Sequence, residues 1–505
     1  MAPPQHSSIN PILKTDDLKR ATISGTKWNL GKQACFQLIT FVLGVVLSRL
    51  LAPEEFGLLA MVMIFSRFGN LFSGSGLSRS LIHKQNISLT DLSTVFWSNF
   101  VIGCLLTGLL AALAPSIASF YGQPQLAALV LVIALNFILN SLCTIPRTLF
   151  EKELRFRSLF FVDATATSLS GLIAVGMALN GFGVWSLVGQ LMFRSFFVVV
   201  LLWSFNPWRP KLIFEKAAFQ GAAAYGLPLM GTNSLNYWVR NADKLLIGKF
   251  LGDQALGYYN KPYSLMLFPL ANITQVIAKV LFPSLAKIKD DKQLVKKGYL
   301  RVVRMVSLLA FPTSIGAFVM AEPIILGLYG PQWEGSVEIL RVLSLLGISQ
   351  SVTALNGAIY QSQGATMIQF KWGLLFKLFI IAAIVAGLPY GTLGIAIAYT
   401  LASSLTTIPN LLILGRVIPV RLRDVWKACC KPLLMSSLMG LAVYLFLTLV
   451  GTGVSHVIML LTGVPLGVAL YAMLVLVFDR ASVDDIKTFM VNRPSNQTSP
   501  SIIDS

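Results

Sequence analysis

Acidic residues are scarce in this 505-residue chain: 21 Asp and Glu stand against 40 Lys and Arg, a formal net charge of +19. Histidine is scarcer still, and His6, His83 and His456 are far apart with no ligand spacing. The five cysteines, Cys35, Cys104, Cys143, Cys429 and Cys430, lie in or beside apolar segments without a spaced framework, so neither disulfides nor a metal site is indicated. There is no G-x-x-x-x-G-K-[ST] loop, which argues against ATP hydrolysis by this chain, and no cofactor is expected. The first 22 residues are polar and lack an apolar core, so no cleavable signal peptide is expected.

What is abundant is apolar sequence. A pI near 9.8 in a soluble protein would suggest nucleic acid or an acidic polymer as partner. A mean hydropathy of +0.72 and a charged fraction of only 12% exclude that reading, and no nucleic-acid partner is expected. Runs long enough to cross a bilayer, about 20 residues each, recur from end to end. The fold expected is therefore all-α and integral to a membrane. Spans fall near 25–50, 57–75, 92–114, 125–146, 159–179, 184–205, 222–247, 257–283, 300–322, 337–358, 371–388, 393–414, 432–450 and 457–478, about fourteen in all.

Charge tests this division independently. The gaps after even-numbered spans hold Arg79 and Lys84; Arg147, Lys152, Arg155 and Arg157; Arg209, Lys211 and Lys216; Lys287 to Lys297; then Arg416, Arg421, Arg423 and Lys427. The gaps after odd-numbered spans hold no Lys or Arg except Lys249. Alternation of this kind puts both termini in the cytoplasm and requires an even number of spans.

An internal repeat accompanies it. VLSRLLAPEEFG at 46–57 aligns without gaps to LIGKFLGDQALG at 246–257, matching Arg49 with Lys249 and Gly57 with Gly257 at an offset of 200 residues. PSIASFYG at 115–122 answers PIILGLYG at 323–330, and GFGVWSLV at 181–188 answers GTLGIAIA at 391–398. Six spans separate the copies, so orientation is preserved and the repeat is parallel, about an axis along the membrane normal. The expected division is a cytoplasmic segment 1–24, an N-lobe 25–205, a linker 206–221, a C-lobe 222–414, two additional spans within 432–478 and a cytoplasmic tail 479–505.

Membrane-embedded polar residues mark the candidate site. In span 7, Asn233, Asn236, Tyr237, Arg240, Asn241 and Lys244 share one helical arc. Arg or Lys at the bilayer centre costs at least about 2.5 to 3.5 kcal/mol, so this stripe must face water or protein. Span 1 places Gln33, Gln37 and Thr40 likewise, and shifting by 200 lands them on Asn233, Tyr237 and Arg240. Span 8 adds Lys261, Ser264, Asn272, Gln275 and Lys279, span 2 adds Arg67, and span 6 adds Arg194. A hydrated cavity of positive sign is expected. A structural reading stands beside it: Asp243 as partner of Arg240 or Lys244, Glu338 as partner of Arg341, and Lys261 reaching an interface. The carboxylates placed to take a proton or Na⁺ are Asp163, Asp243 and Glu338.

These segments resemble a family. TISGTKWN, LSRLLAPEEFGLLAM, FEKELRFRSL, NADKLLIGKFLGDQALGYYNKPYSLMLFP, VLFPSLAKIKDD and YGPQWEGSVEILRVLSLLG are similar to the WzxC-like branch of the polysaccharide transporter family. The resemblance implies a two-lobed alternating-access flippase, not an enzyme, that carries an undecaprenyl-diphosphate-linked oligosaccharide across the bacterial inner membrane for exopolysaccharide, capsule or O-antigen synthesis. A polysaccharide polymerase and a chain-length regulator are the implied partners. On this reading Arg240, Lys244, Arg67, Arg194 and Lys261 meet the diphosphate, and Gln33, Gln37, Asn233, Asn236, Tyr237 and Asn241 meet sugar. Two alternatives stand: a multidrug or organic-ion antiporter of the same superfamily, disfavoured by the basic cavity, and a polymerase or ligase, disfavoured by the short outer loops.

Overall fold

A computed structural model describes residues 35–72, 81, 88–153, 155–287, 290–450 and 453–479, with side chains omitted at 217, 218, 221–233, 235, 236, 239 and 270–287. Gln33 and the side chains of Asn233, Asn236, Asn272, Gln275 and Lys279 thus lie outside the described residues, as do the segments 1–34 and 480–505.

The described residues form helices and no strand. Lipid offers backbone groups no hydrogen bonds, so an apolar run that crosses it must satisfy them within itself. Nine helices among the described residues are long and apolar enough to cross a membrane. In chain order the elements are α1 (Cys35–Leu50), α2 (Pro53–Asn70), α3 (Leu89–Tyr121), α4 (Leu126–Ala134), α5 (Asn136–Lys152), α6 (Phe156–Leu179), α7 (Val184–Phe205) and α8 (Lys216–Lys287). They continue as α9 (Lys292–Val319), α10 (Ala321–Tyr329), α11 (Val337–Thr353), α12 (Asn356–Ser362), α13 (Thr366–Gly387), α14 (Gly391–Leu414), α15 (Leu422–Val450) and α16 (His456–Phe478).

The usual inside-out pattern of a water-soluble protein is absent. Leu172, Leu401, Leu405, Leu461 and Val468 are all more than half exposed, as lipid-facing residues must be, whereas Ser48, Thr94, Asn99, Ser186 and Ser344 are fully covered. Small residues let helices close on one another. A Cβ on Gly103 of α3 would press on Ser141 of α5, and one on Gly440 of α15 would strike Ile315 of α9.

Two compact units emerge, residues 1–260 and 261–505. In the first, α6 packs on α7, and α3 packs on α4 and α5. In the second, α9 packs on α15 and α11, α13 pairs with α14, and α16 lies on α10 and α15. The boundary by packing falls within α8, whereas the repeat divides the chain by sequence likeness.

Three local results refine the expected gaps. The gap PSIASFYG is helical up to Tyr121, so α3 runs unbroken through Pro115 to a left-handed Gly122 cap. EPIILGLYGPQWEG folds into α10 and a 3-10 turn, Pro331–Ser336. The turns at 46–57 and 246–257 shrink to short breaks, at Leu51 and Ala52 in one copy and at Gly252, with φ +88°, in the other. Spans 4 and 10 are each interrupted at the same tripeptide, Ala134-Leu135-Asn136 and Ala354-Leu355-Asn356.

Candidate functional site

Within the 1–260 unit, the first arm of α8 lies on α2. Tyr237 donates its hydroxyl to the Ile64 carbonyl at 2.6 Å, and Trp238 packs against Phe68 and Phe65, with ring centroids 4.9 and 6.1 Å away. The Asn241 amide donates to the Tyr237 carbonyl at 2.9 Å, one turn back on its own helix. This contact sets the rotation of α8 and brings Arg67, Arg240 and Lys244 into one electrostatic neighbourhood: the charges of Arg67 and Arg240 both bear on Lys244. Arg67 and Arg240 are exposed and Lys244 is half-buried.

Asp243 is the nearby carboxylate. It is buried, accepts a hydrogen bond from Tyr259 at 3.1 Å and one from the Lys244 backbone N–H at 2.8 Å, and attracts the Lys244 charge. Among the described residues neither Arg67 nor Arg240 has an ion-pair partner. Asp243 answers Lys244, and Arg67 and Arg240 add further positive charge beside that lysine. Such an arrangement suits an anion that brings several oxygens, since Arg can meet two of them at once.

Other expected residues sit elsewhere. Arg194 on α7 donates to Thr167 at 3.2 Å, lies 5.7 Å over the Phe36 ring, and is close enough to feel Arg147 and Asp163. Asp163 itself is ion-paired with Arg147. Lys261 belongs to the other unit, where its ammonium lies 4.8 and 5.6 Å over the rings of Tyr329 and Trp333. Glu338 pairs with Arg341 one turn along α11. Gln37 is half-buried on α1.

Several polar contacts escaped the sequence reading. Asn140 donates to Asn70 at 3.1 Å, Gln350 to the Tyr399 hydroxyl at 3.4 Å, and Asn356 bridges Tyr299 at 2.8 Å and Asn410 at 3.0 Å. Lys249, the exception to the charge alternation, also finds a local role: it donates to the Phe120 carbonyl at the end of α3 and lies over that residue's ring. A cation there complements the helix dipole.

Apolar helices, lipid-facing leucines and covered polar residues define an all-α, multi-pass membrane protein. Its fold is similar to that of a solved structure of the lipid II flippase MurJ in an inward closed conformation, with a TM-score of 0.69 at 17% identity over 89% of this chain and 99% of that one. A family model described as "Polysaccharide biosynthesis protein" matches residues 46–338, and the chain belongs to that family. It is 26% identical to the teichuronic acid biosynthesis protein TuaB of Bacillus subtilis (strain 168), over 85% of this chain and 89% of that protein. It is 27% identical to the lipopolysaccharide biosynthesis protein WzxC of Escherichia coli (strain K12), over 77% and 80%. The WzxC-like character expected from the motifs thus rests on matches across most of the chain.

Proposed function

We propose that this protein is a flippase, not an enzyme, that moves a lipid-diphosphate-linked oligosaccharide repeat unit across the bacterial inner membrane for surface polysaccharide synthesis. The observation that carries this reading is the Arg67, Arg240 and Lys244 cluster, beside which the described residues offer Asp243 as the one carboxylate. A diphosphate cannot cross hydrocarbon unpaired, and clustered cations lower that barrier. The aromatic and amide groups beside them, Tyr237, Trp238 and Asn241, suit sugar rings and hydroxyls. An organic-cation exporter would need the opposite sign at this place.

The rest of the reading follows the repeat. Fourteen spans form an N-lobe at 25–205 and a C-lobe at 222–414, joined by 206–221 and followed by two further spans at 432–478. Both termini, 1–24 and 479–505, lie in the cytoplasm. Arg194 and Lys261 serve the pathway away from the cluster, with Gln33, Gln37, Asn233 and Asn236 along it. Asp163, Asp243 and Glu338 are the candidates for ion coupling, and Asp243 is the one that acts on the cluster. A polymerase and a chain-length regulator act on the product side.

The test is R240A/K244A in the native host. Surface polysaccharide should be lost while membrane protein level stays normal, and undiminished polysaccharide would overturn the assignment of this site.

A further inference from the structure

One helix of the second unit is longer than the hydrocarbon it crosses. The 29 residues of α15, Leu422–Val450, extend about 44 Å against roughly 30 Å of bilayer core, so part of the helix projects beyond it. One face shows which part. Arg423, Lys427 and Lys431 recur every fourth residue, and Leu434, Leu441 and Leu445 continue the same arc, which is about 80° wide at 100° per residue. All six are exposed, whereas Val425 and Cys429, on the far side, are buried in the core that α15 shares with α9. The exposed face changes from charge to leucine between Lys431 and Leu434, and the charged end is the one that leaves the hydrocarbon. Trp426, 63% exposed, stands beside the cations, and amphipathic rings gather at the surface of a bilayer.

Cations that only set topology need no such order, and in other gaps the protein takes them up locally. Arg147 is paired with Asp163 and Arg155 with Glu153, Arg157 lies over the Phe161 ring, and Arg209 donates to the Asn206 and Trp208 carbonyls. At the head of α15 the carboxylate is turned away. Asp424, the one acid between 416 and 431, meets the Lys296 ammonium of α9 at 2.7 Å. Among the described residues Arg423, Lys427 and Lys431 have no ion-pair partner.

We propose that this face of α15 is a binding site for an anionic phospholipid, whose headgroup phosphate meets the arginine and the lysines while its acyl chains lie along the leucines. Phosphate accepts charge-assisted hydrogen bonds from both kinds of cation, and each Lys or Arg near an anionic bilayer surface is worth about five-fold in affinity. The leucine continuation selects lipid over a free anion or an acidic protein, since neither brings hydrocarbon to lay there. Lipid held at this face fixes the depth of α15 and, through the pairing of Asp424 with Lys296, that of α9. The site lies in the unit that lacks Arg67, Arg240 and Lys244, and it is independent of what the protein carries.

The test uses the full-length protein in phosphatidylcholine vesicles that contain a minor fraction of brominated phosphatidylglycerol or, in parallel, of brominated phosphatidylcholine. Bromine quenches tryptophan on contact, and the part of the quenching absent from W426F belongs to Trp426. That part should be several-fold larger with the anionic lipid than with the zwitterionic one at equal fraction. R423Q/K427Q/K431Q should remove the preference, and K431Q alone should lower it in part, which keeps the site testable where the triple variant is poorly produced. R155Q/R157Q, in the other unit, should leave it intact. Equal quenching by the two lipids in the parent, or an undiminished preference in the α15 variants, would overturn the proposal. Inorganic phosphate that abolished the preference at constant ionic strength would make the occupant a free anion, and would overturn the assignment to lipid.

Discussion

Two groups of cations in the same unit are handled in opposite ways. Where α5, α6 and α7 come together, Arg147 has Asp163 and Arg194 has Thr167 and the Phe36 ring, so each charge is answered by the protein itself. Where α2 meets the first arm of α8, Arg67, Arg240 and Lys244 lie together with Asp243, whose oxygens already receive Tyr259 and a backbone N–H. In the first group the protein supplies each cation with a partner. On the flippase reading proposed for this chain the second group is where an anion would be met, a difference that the net charge of the chain does not reveal.

The comparison breaks if the two groups respond alike to mutation. The largest effect expected is on transport: R240A/K244A should reduce export to background, measured as surface polysaccharide, while the thermal midpoint of the purified protein scarcely moves. R147A should do the reverse. Removing the partner of Asp163, whose side chain is only 15% exposed, should cost about 3 kcal/mol of stability, and R147A/D163A should recover much of it in a thermal-shift measurement. A smaller effect compares the two helix breaks. Asn356 is buried with two partners, Tyr299 and Asn410, whereas Asn136 is half-buried and accepts from Ser195. N356A should therefore cost about 1 to 3 kcal/mol, and N136A less, in the same assay.

The smallest effect concerns a surface pair. Asp424, at the start of α15, is held below the usual carboxylate range by the Lys296 ammonium at 2.7 Å and by the Arg421 N–H at 3.0 Å. A carboxyl whose folded pKa is depressed contributes stability above its unfolded pKa and loses it as pH falls through the folded one. D424N should thus melt slightly below the parent at neutral pH. The two curves should converge once pH drops below the ordinary carboxylate range, and added salt should shrink the gap.

Much of the membrane architecture could be read from residues alone, because apolar length and loop charge report directly on the bilayer. The 46–57 and 246–257 likeness was equally plain, since glycine and helix-start residues are forced by the turn. What escaped was anything fixed by a neighbouring helix. Arg147 and Asp163 stand 16 positions apart on different helices, so no periodicity links them, and their pairing could not be read from the sequence. PSIASFYG falls between the expected spans at 92–114 and 125–146, yet its residues are also acceptable in a helix, and α3 continues through it to the Gly122 cap. The Ala-Leu-Asn breaks were invisible because a break of one or two residues does not disturb the apolar pattern on either side. Tyr237 was rightly placed on the polar arc of span 7, but its tie to the Ile64 carbonyl depends on α2 and could come only from the fold.

The end of α16 has a practical consequence. Asp479, immediately after the helix, is covered and ion-paired with Arg304 of α9, while Tyr471 donates to the Leu308 carbonyl at 2.8 Å one turn further along. The last helix is therefore fastened from both its body and its end. A fluorescent or affinity tag joined after residue 479 keeps that fastening, whereas one joined at Phe478 removes the clamp and should yield a poorly produced protein. Any reporter used to locate the carboxyl terminus in the cell belongs beyond that aspartate.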